Sequence, residues 1–149
     1  DVVHKNYNKN YLQAEYQTSK RSAQASRKWK GFEENADLFP NLQYMTVGDS
    51  KVREDHNQLN GIIKAVNDPF WDTHYPPNGF RCRCYAKPTT AAADTRKTAT
   101  KPDKGFGNNV GKSNEIFKGE HPYFTMPKTA KKNVDKSLES FKKAQKKDE

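Results

Sequence analysis

Three prolines and one glycine stand among the fourteen residues of NDPFWDTHYPPNGF, positions 67–80. Each proline fixes φ and removes a backbone donor, so this density excludes regular structure. Yet Phe70, Trp71, Tyr75 and Phe80 are too apolar for a solvated loop. The segment is expected to be an ordered loop pinned by its aromatics, the kind that carries function. Apolar material is scarce elsewhere. Hydrophobic residues make up 32% of the 149, below the about 45–50% usual in globular chains. The core should be small, with part of the chain outside it.

Ahead of the loop, Val3, Tyr7, Tyr11, Ala14, Thr18, Ser22, Ala25 and Trp29 recur at steps of three and four. This spacing predicts a helix over 3–30 with one packed face, its tyrosines in the core. Gly31 and Pro40 bracket a connection. LQYMTV, 42–47, reads as a strand. Gly48-Asp49-Ser50 is a turn, and Asp49 or Ser50 is expected to cap a short helix over 53–59 that ends at Gly61. A short strand over 62–66 follows. After the loop, RCRCYAK (81–87) reads as a strand with Cys82, Cys84 and Ala86 on one side and Arg81, Arg83 and Tyr85 on the other.

Residues 88–104 are small, polar and basic, a linker or a crossing strap. Phe106, Phe117, Tyr123 and Phe124 are expected to fold the next segment back onto the core. Ala130, Val134, Leu138 and Phe141 make a narrow stripe within a Lys-rich helix over 128–147, and Met126-Pro127 suits its start. The expected fold is α+β: a long N-terminal helix packed on a small antiparallel sheet, then a C-terminal helix. The expected organisation is a folded domain at 1–88, a linker or strap at 89–127 and a basic helix at 128–149.

The net charge is +9, which favours acidic partners such as nucleic acid or an acidic protein face. Residues 1–85 carry 12 Lys and Arg against 10 Asp and Glu; residues 86–149 carry 15 against 8. The basic excess thus belongs to the C-terminal part. No run of about 18 apolar residues offers a membrane span, and no secretory signal pattern opens the chain. The chain begins at Asp1, as expected of a processed product or an excised piece. Walker, Rossmann and HExxH patterns are absent.

Chemistry concentrates between Asp49 and Cys84. Arg53 and His56 stand three apart and share a helix face. If that helix packs over the strand, His56 meets Cys82 and Cys84. Two sulfurs and one imidazole with a fourth ligand satisfy zinc; the alternative is a thiol pair that packs as small hydrophobes. A Cys82–Cys84 disulfide has poor geometry on one extended strand. Arg81 and Arg83 bind phosphate, or pair with Asp49, Glu54, Asp55, Asp68 or Asp72. As an acid–base site, His56 with Arg53 and Arg81 suits phosphodiester cleavage, the reading of a nuclease or toxin domain.

The order and spacing of these pieces carry a resemblance. VGDSKVREDHNQLNG, then DPFW, then PPNGFRCRC resembles the C-terminal signature of the phage Mu F-like head-morphogenesis family, and YLQAEYQT is similar to the segment that precedes it. The likeness spans about residues 7–88. Relatives carry a His just before the C-R-C pair; here that position lacks it, and His74 stands at another spacing. The resemblance implies a minor capsid protein acting by binding to portal or capsid components, with non-specific DNA contact and no membrane, in the virion or in the bacterial cytoplasm during phage assembly. Family members fused to toxin domains keep the effector reading as the alternative. The residues expected to carry binding are Arg53, His56, Trp71, Asn78, Arg81 and Arg83.

Overall fold

A computed structural model of the chain describes residues 2–119, together with Lys132 and Lys136, both helical and exposed. The expected stripe Ala130, Val134, Leu138, Phe141 and the aromatics Tyr123 and Phe124 lie outside the described residues. Seven elements follow in order: α1 (Val2–Glu34), β1 (Asn41–Met45), α2 (Glu54–Gln58), β2 (Ile63–Ala65), α3 (Phe70–His74), β3 (Tyr85–Thr89) and α4 (Val110–Ser113). The α+β class is as the sequence indicates: a long helix lies on one small antiparallel sheet. Among the described residues, no helix is long and apolar enough to cross a membrane.

Helix α1 runs for 33 residues, about 50 Å at 1.5 Å per residue. It passes through Gly31, because one glycine costs a helix only about 1 kcal/mol. The Asn35 side chain donates to the Gly31 carbonyl at the helix end. Thr18, Ser22 and Trp29 are buried on its C-terminal half, where helix α4 packs against it, Gly111 lying on Trp29. A core tyrosine was expected at Tyr11, but it is 41% exposed, and the side chain of Tyr7 lies outside the described residues.

The sheet has the order β2-β1-β3, with both pairings antiparallel. In β1, Leu42 and Tyr44 point inward, as strand alternation requires. Tyr44 pairs with Ala86 and Leu42 with Pro88 in β3. The core gathers Trp29, Leu42, Tyr44, Leu59, Ile62, Trp71 and Tyr75. Trp29 meets Tyr75 edge to face at 4.9 Å, and the Tyr75 hydroxyl donates to the Ala25 carbonyl.

Two expectations need correction. The Pro-rich stretch contains a helix: Phe70–His74, with Pro69 at its N-cap. Proline is tolerated at a helix start, where its missing N–H has no partner to lose. The helix stops at Tyr75, which is extended as a residue before proline must be. The strand expected from Arg81 begins only at Tyr85, because Arg81 has φ 57 and breaks the extended run. The alternation survives the break: Cys82 and Ala86 are buried while Arg81 and Tyr85 are exposed.

Helix α2 is also capped differently from expectation. Its N-cap is Arg53, without a side-chain cap. Asp49 instead accepts from the Lys51 amide within the turn.

The basic segment after β3 crosses the sheet as a strap. The Asp94 amide donates to the Ile63 carbonyl, and the Asp94 carboxylate accepts from the Ile63 amide and from Arg96. Lys64 closes the clip through the Asp94 carbonyl. Further on, Phe106 and Phe117 meet Phe80 at centroid distances of 5.2 and 5.7 Å.

Desolvation opposes the charge of Asp94, yet the Ile63 amide and Arg96 outweigh it and hold the carboxyl below its ordinary value. A depressed folded pKa means stabilisation that is complete well above the unfolded value of about 3.9 and is lost as pH falls through the folded value. Asp94→Ala is expected to cost about 1–2 kcal/mol near neutrality. Urea melts should show that difference shrinking as the buffer is acidified below about pH 4.

Candidate functional site

Helix α2 is one turn and a half, and its sequence EDHNQ turns a single side chain inward. His56 is 3% exposed and faces the segment that leads into β3. There the thiols of Cys82 and Cys84 converge on it. His56 Nδ1 lies 3.6 Å from Cys82 Sγ and 3.8 Å from Cys84 Sγ. The two sulfurs and the imidazole nitrogen all lie within 4.8 Å of one another. Neither cysteine forms a disulfide.

The trio is polarised. The hydrogen bond from Cys84 holds the Cys82 thiol well below its ordinary range, against the effect of burial, and His56 adds to it. The contact with Cys82 raises the His56 imidazole in turn, although burial works the other way. Cys84 is pushed up, first by Cys82 and then by burial. The contacts thus favour the thiolate at Cys82 and the charged form of His56, and disfavour a second thiolate at Cys84.

Tyr44, Asn78 and the backbone complete the surroundings of the sulfurs. The Tyr44 hydroxyl accepts from Asn78 Nδ2 at 3.1 Å, and its nearness to Cys84 works against the rise of that thiol. The backbone of Asn78 and Cys84 helps to lower Cys82. Asn78 also ties down the loop by donating to the His74 carbonyl at 3.1 Å. It is fully buried, and so is Trp71. Both were expected among the binding residues, and the fold places both inside, Asn78 beside the thiols and Trp71 in the core.

The arginines gather at the rim. A small cavity of about 90 Å³ is bordered by Lys51, Arg53, His56, Arg81, Arg83 and the two cysteines. Arg83 grips Asp49 with both nitrogens at 2.6 Å, one of the pairings the sequence allowed. This contact raises Arg83 and lowers Asp49. Arg81 donates to the Asn10 carbonyl at 3.2 Å. Arg53 donates to the Phe80 carbonyl at 2.8 Å and meets Asp103 at 3.3 Å. Gly79 makes room for that last pair, since a Cβ there would collide with the Asp103 carboxylate and the Arg53 guanidinium.

Sequence reasoning missed Tyr44, and nothing in a strand pattern marks one inward tyrosine as a sulfur partner. It also missed a groove of about 320 Å³ whose lining includes Arg21, Lys28, Arg83 and Tyr85. Here a signal existed: Arg21 and Lys28 stand seven apart on α1 and so share a face.

The pattern that defines the Phage Mu protein F like family matches residues 2–87. Over 77 residues the chain is 38% identical to the Putative capsid assembly protein F of Escherichia phage Mu, a match covering 52% of this chain and 18% of that relative. Over 67 residues it is 40% identical to the Mu-like prophage FluMu F protein of Haemophilus influenzae, covering 45% of this chain and 16% of the relative. The matched part spans less than a fifth of either relative. No solved structure matches the chain. Helix α2, the Pro-rich turn and the thiol pair all fall within the matched residues, and the chain belongs to the Phage Mu protein F like family.

Proposed function

We propose that this chain is an adhesive domain of phage head assembly, acting in the virion or in the bacterial cytoplasm during assembly. The folded part docks on a portal or capsid protein, and the Lys-rich C-terminal part touches packaged DNA or an acidic partner face. The observation that carries this reading is where the charges of the site go. Arg53, Arg81 and Arg83 are engaged at the surface by carboxylates and a carbonyl of the same chain, and His56 is buried against two sulfurs. Such an arrangement builds a rigid surface in preference to an acid–base centre open to a phosphodiester. The groove beside α1, with Arg21, Lys28 and Tyr85 on its walls, suits an acidic segment of a partner.

DNA contact of this kind releases counterions, so it weakens steeply with salt. Fluorescence anisotropy with duplex DNA of arbitrary sequence is expected to show affinity falling at least about tenfold between about 50 and 200 mM salt. Removing residues 128–149 should flatten that slope. Affinity indifferent to salt, or none at low salt, removes the DNA part of the reading. Co-purification with portal and capsid proteins of the same phage tests the docking part. A growth defect on expression in bacteria that His56→Ala abolishes would replace adhesion with an effector activity.

A further inference from the structure

We propose that His56, Cys82 and Cys84 hold a structural zinc ion. Zinc bound at about 2.3 Å by sulfur and about 2.0–2.1 Å by imidazole nitrogen sits at the centre of a tetrahedron. The edges of that tetrahedron are about 3.5 Å from sulfur to nitrogen and about 3.8 Å from sulfur to sulfur. The distances here are 3.6 and 3.8 Å from the His56 nitrogen to the two sulfurs, with all three donor atoms inside 4.8 Å. The two sulfur–nitrogen distances are thus close to the edges of a zinc tetrahedron, and the sulfurs are near enough to each other to share an ion.

The surroundings fit the same ion. A metal thiolate needs donors around its sulfurs, and such partners shape affinity nearly as much as the ligands do. The backbone of Asn78 and Cys84 favours the thiolate of Cys82, and the Tyr44 hydroxyl, itself held by Asn78, favours that of Cys84. A nitrogen of the His56 ring lies within 4.8 Å of carboxylate oxygens of Asp55 and Asp103, a span that one water bridges. Two thiolates neutralise a divalent cation, so the loaded site carries no net charge into a buried position. The small cavity touches all three ligands and leaves space for a water as the fourth. The PPNG turn finds a purpose here, since it delivers Asn78 between Tyr44 and Cys82.

The test uses the full chain, reduced, with both thiols titrated free, stripped by chelator and then titrated with cobalt(II). Thiolate-to-cobalt absorption in the near ultraviolet is expected to saturate at one ion per chain and to vanish on addition of one equivalent of zinc. Cys82→Ser and Cys84→Ser should abolish the band. Tyr44→Phe, which keeps the ring in the core, should weaken zinc binding by about 10–100-fold. Wild-type protein that gives no thiolate band at saturating cobalt overturns the assignment, and that readout does not depend on any variant folding. A band that persists in the Cys82→Ser/Cys84→Ser double variant overturns it as well. Adhesion to head proteins or DNA is measured separately, so either idea can fail without the other.

Discussion

Replacing Trp71 by alanine is expected to cost about 3–5 kcal/mol, a large part of the stability a domain of this size possesses. Trp71 is fully buried and sits on α3 between Phe70 at 4.9 Å and Tyr75 at 6.3 Å, both edge to face. Alanine leaves a void that the Pro-rich turn cannot close. The melting temperature should fall by roughly 10 °C or more. Trp71→Phe is expected to cost much less: it keeps a ring in place, and the indole Nε1 it removes has no hydrogen-bond partner among the described residues. A loss below about 1 kcal/mol for the alanine variant would show that this turn contributes nothing to the core.

A second large effect is expected at Gly111, on α4. A methyl group there would overlap the Trp29 Cβ and Cγ and lie 2.7 Å from Cδ1. Alanine gains about 1 kcal/mol in intrinsic helix preference over glycine. Overpacking against a fixed core residue costs about 1–3 kcal/mol or more. Trp29 is fully buried and its Cβ is tied to the α1 backbone, so the overlap prevails and α4 is pushed off. Two contacts go with it: Lys112 to Asp72 at 2.6 Å and Lys112 over the Trp29 ring at 5.2 Å. The chain has two tryptophans, so the Trp71→Phe background leaves Trp29 as the sole indole, excited selectively over the tyrosines. In that background Gly111→Ala should shift the emission to the red and lower the urea midpoint; unchanged emission would mean that α4 adapts without leaving.

The parts legible in the sequence are those fixed by periodicity. β-favouring residues marked the strand at Leu42 to Val47, and two-residue alternation set Cys82 and Ala86 on one side although the run becomes a strand only at Tyr85. The turn at Gly48-Asp49-Ser50 and the stop at Gly61 bracketed the helix that carries the imidazole, although Arg53, expected on its face, is its N-cap. Proline was harder to read, because it forbids helix interiors and favours helix starts, and only the packing of Trp71 decides between the two at Pro69. The tyrosines of α1 were illegible for a different reason. A helical stripe shows that a face exists, whereas how far the face is covered depends on what packs against it. Within the site, the convergence of Cys82, Cys84 and His56 followed from spacing, while the parts of Tyr44 and Asn78 required the fold.

The strap has a further consequence. At β2 the Asp94 clip occupies both hydrogen-bonding groups of Ile63, and at β3 Pro88 interrupts the row of donors on the other margin. A sheet blunted on both margins does not recruit strands from neighbouring molecules.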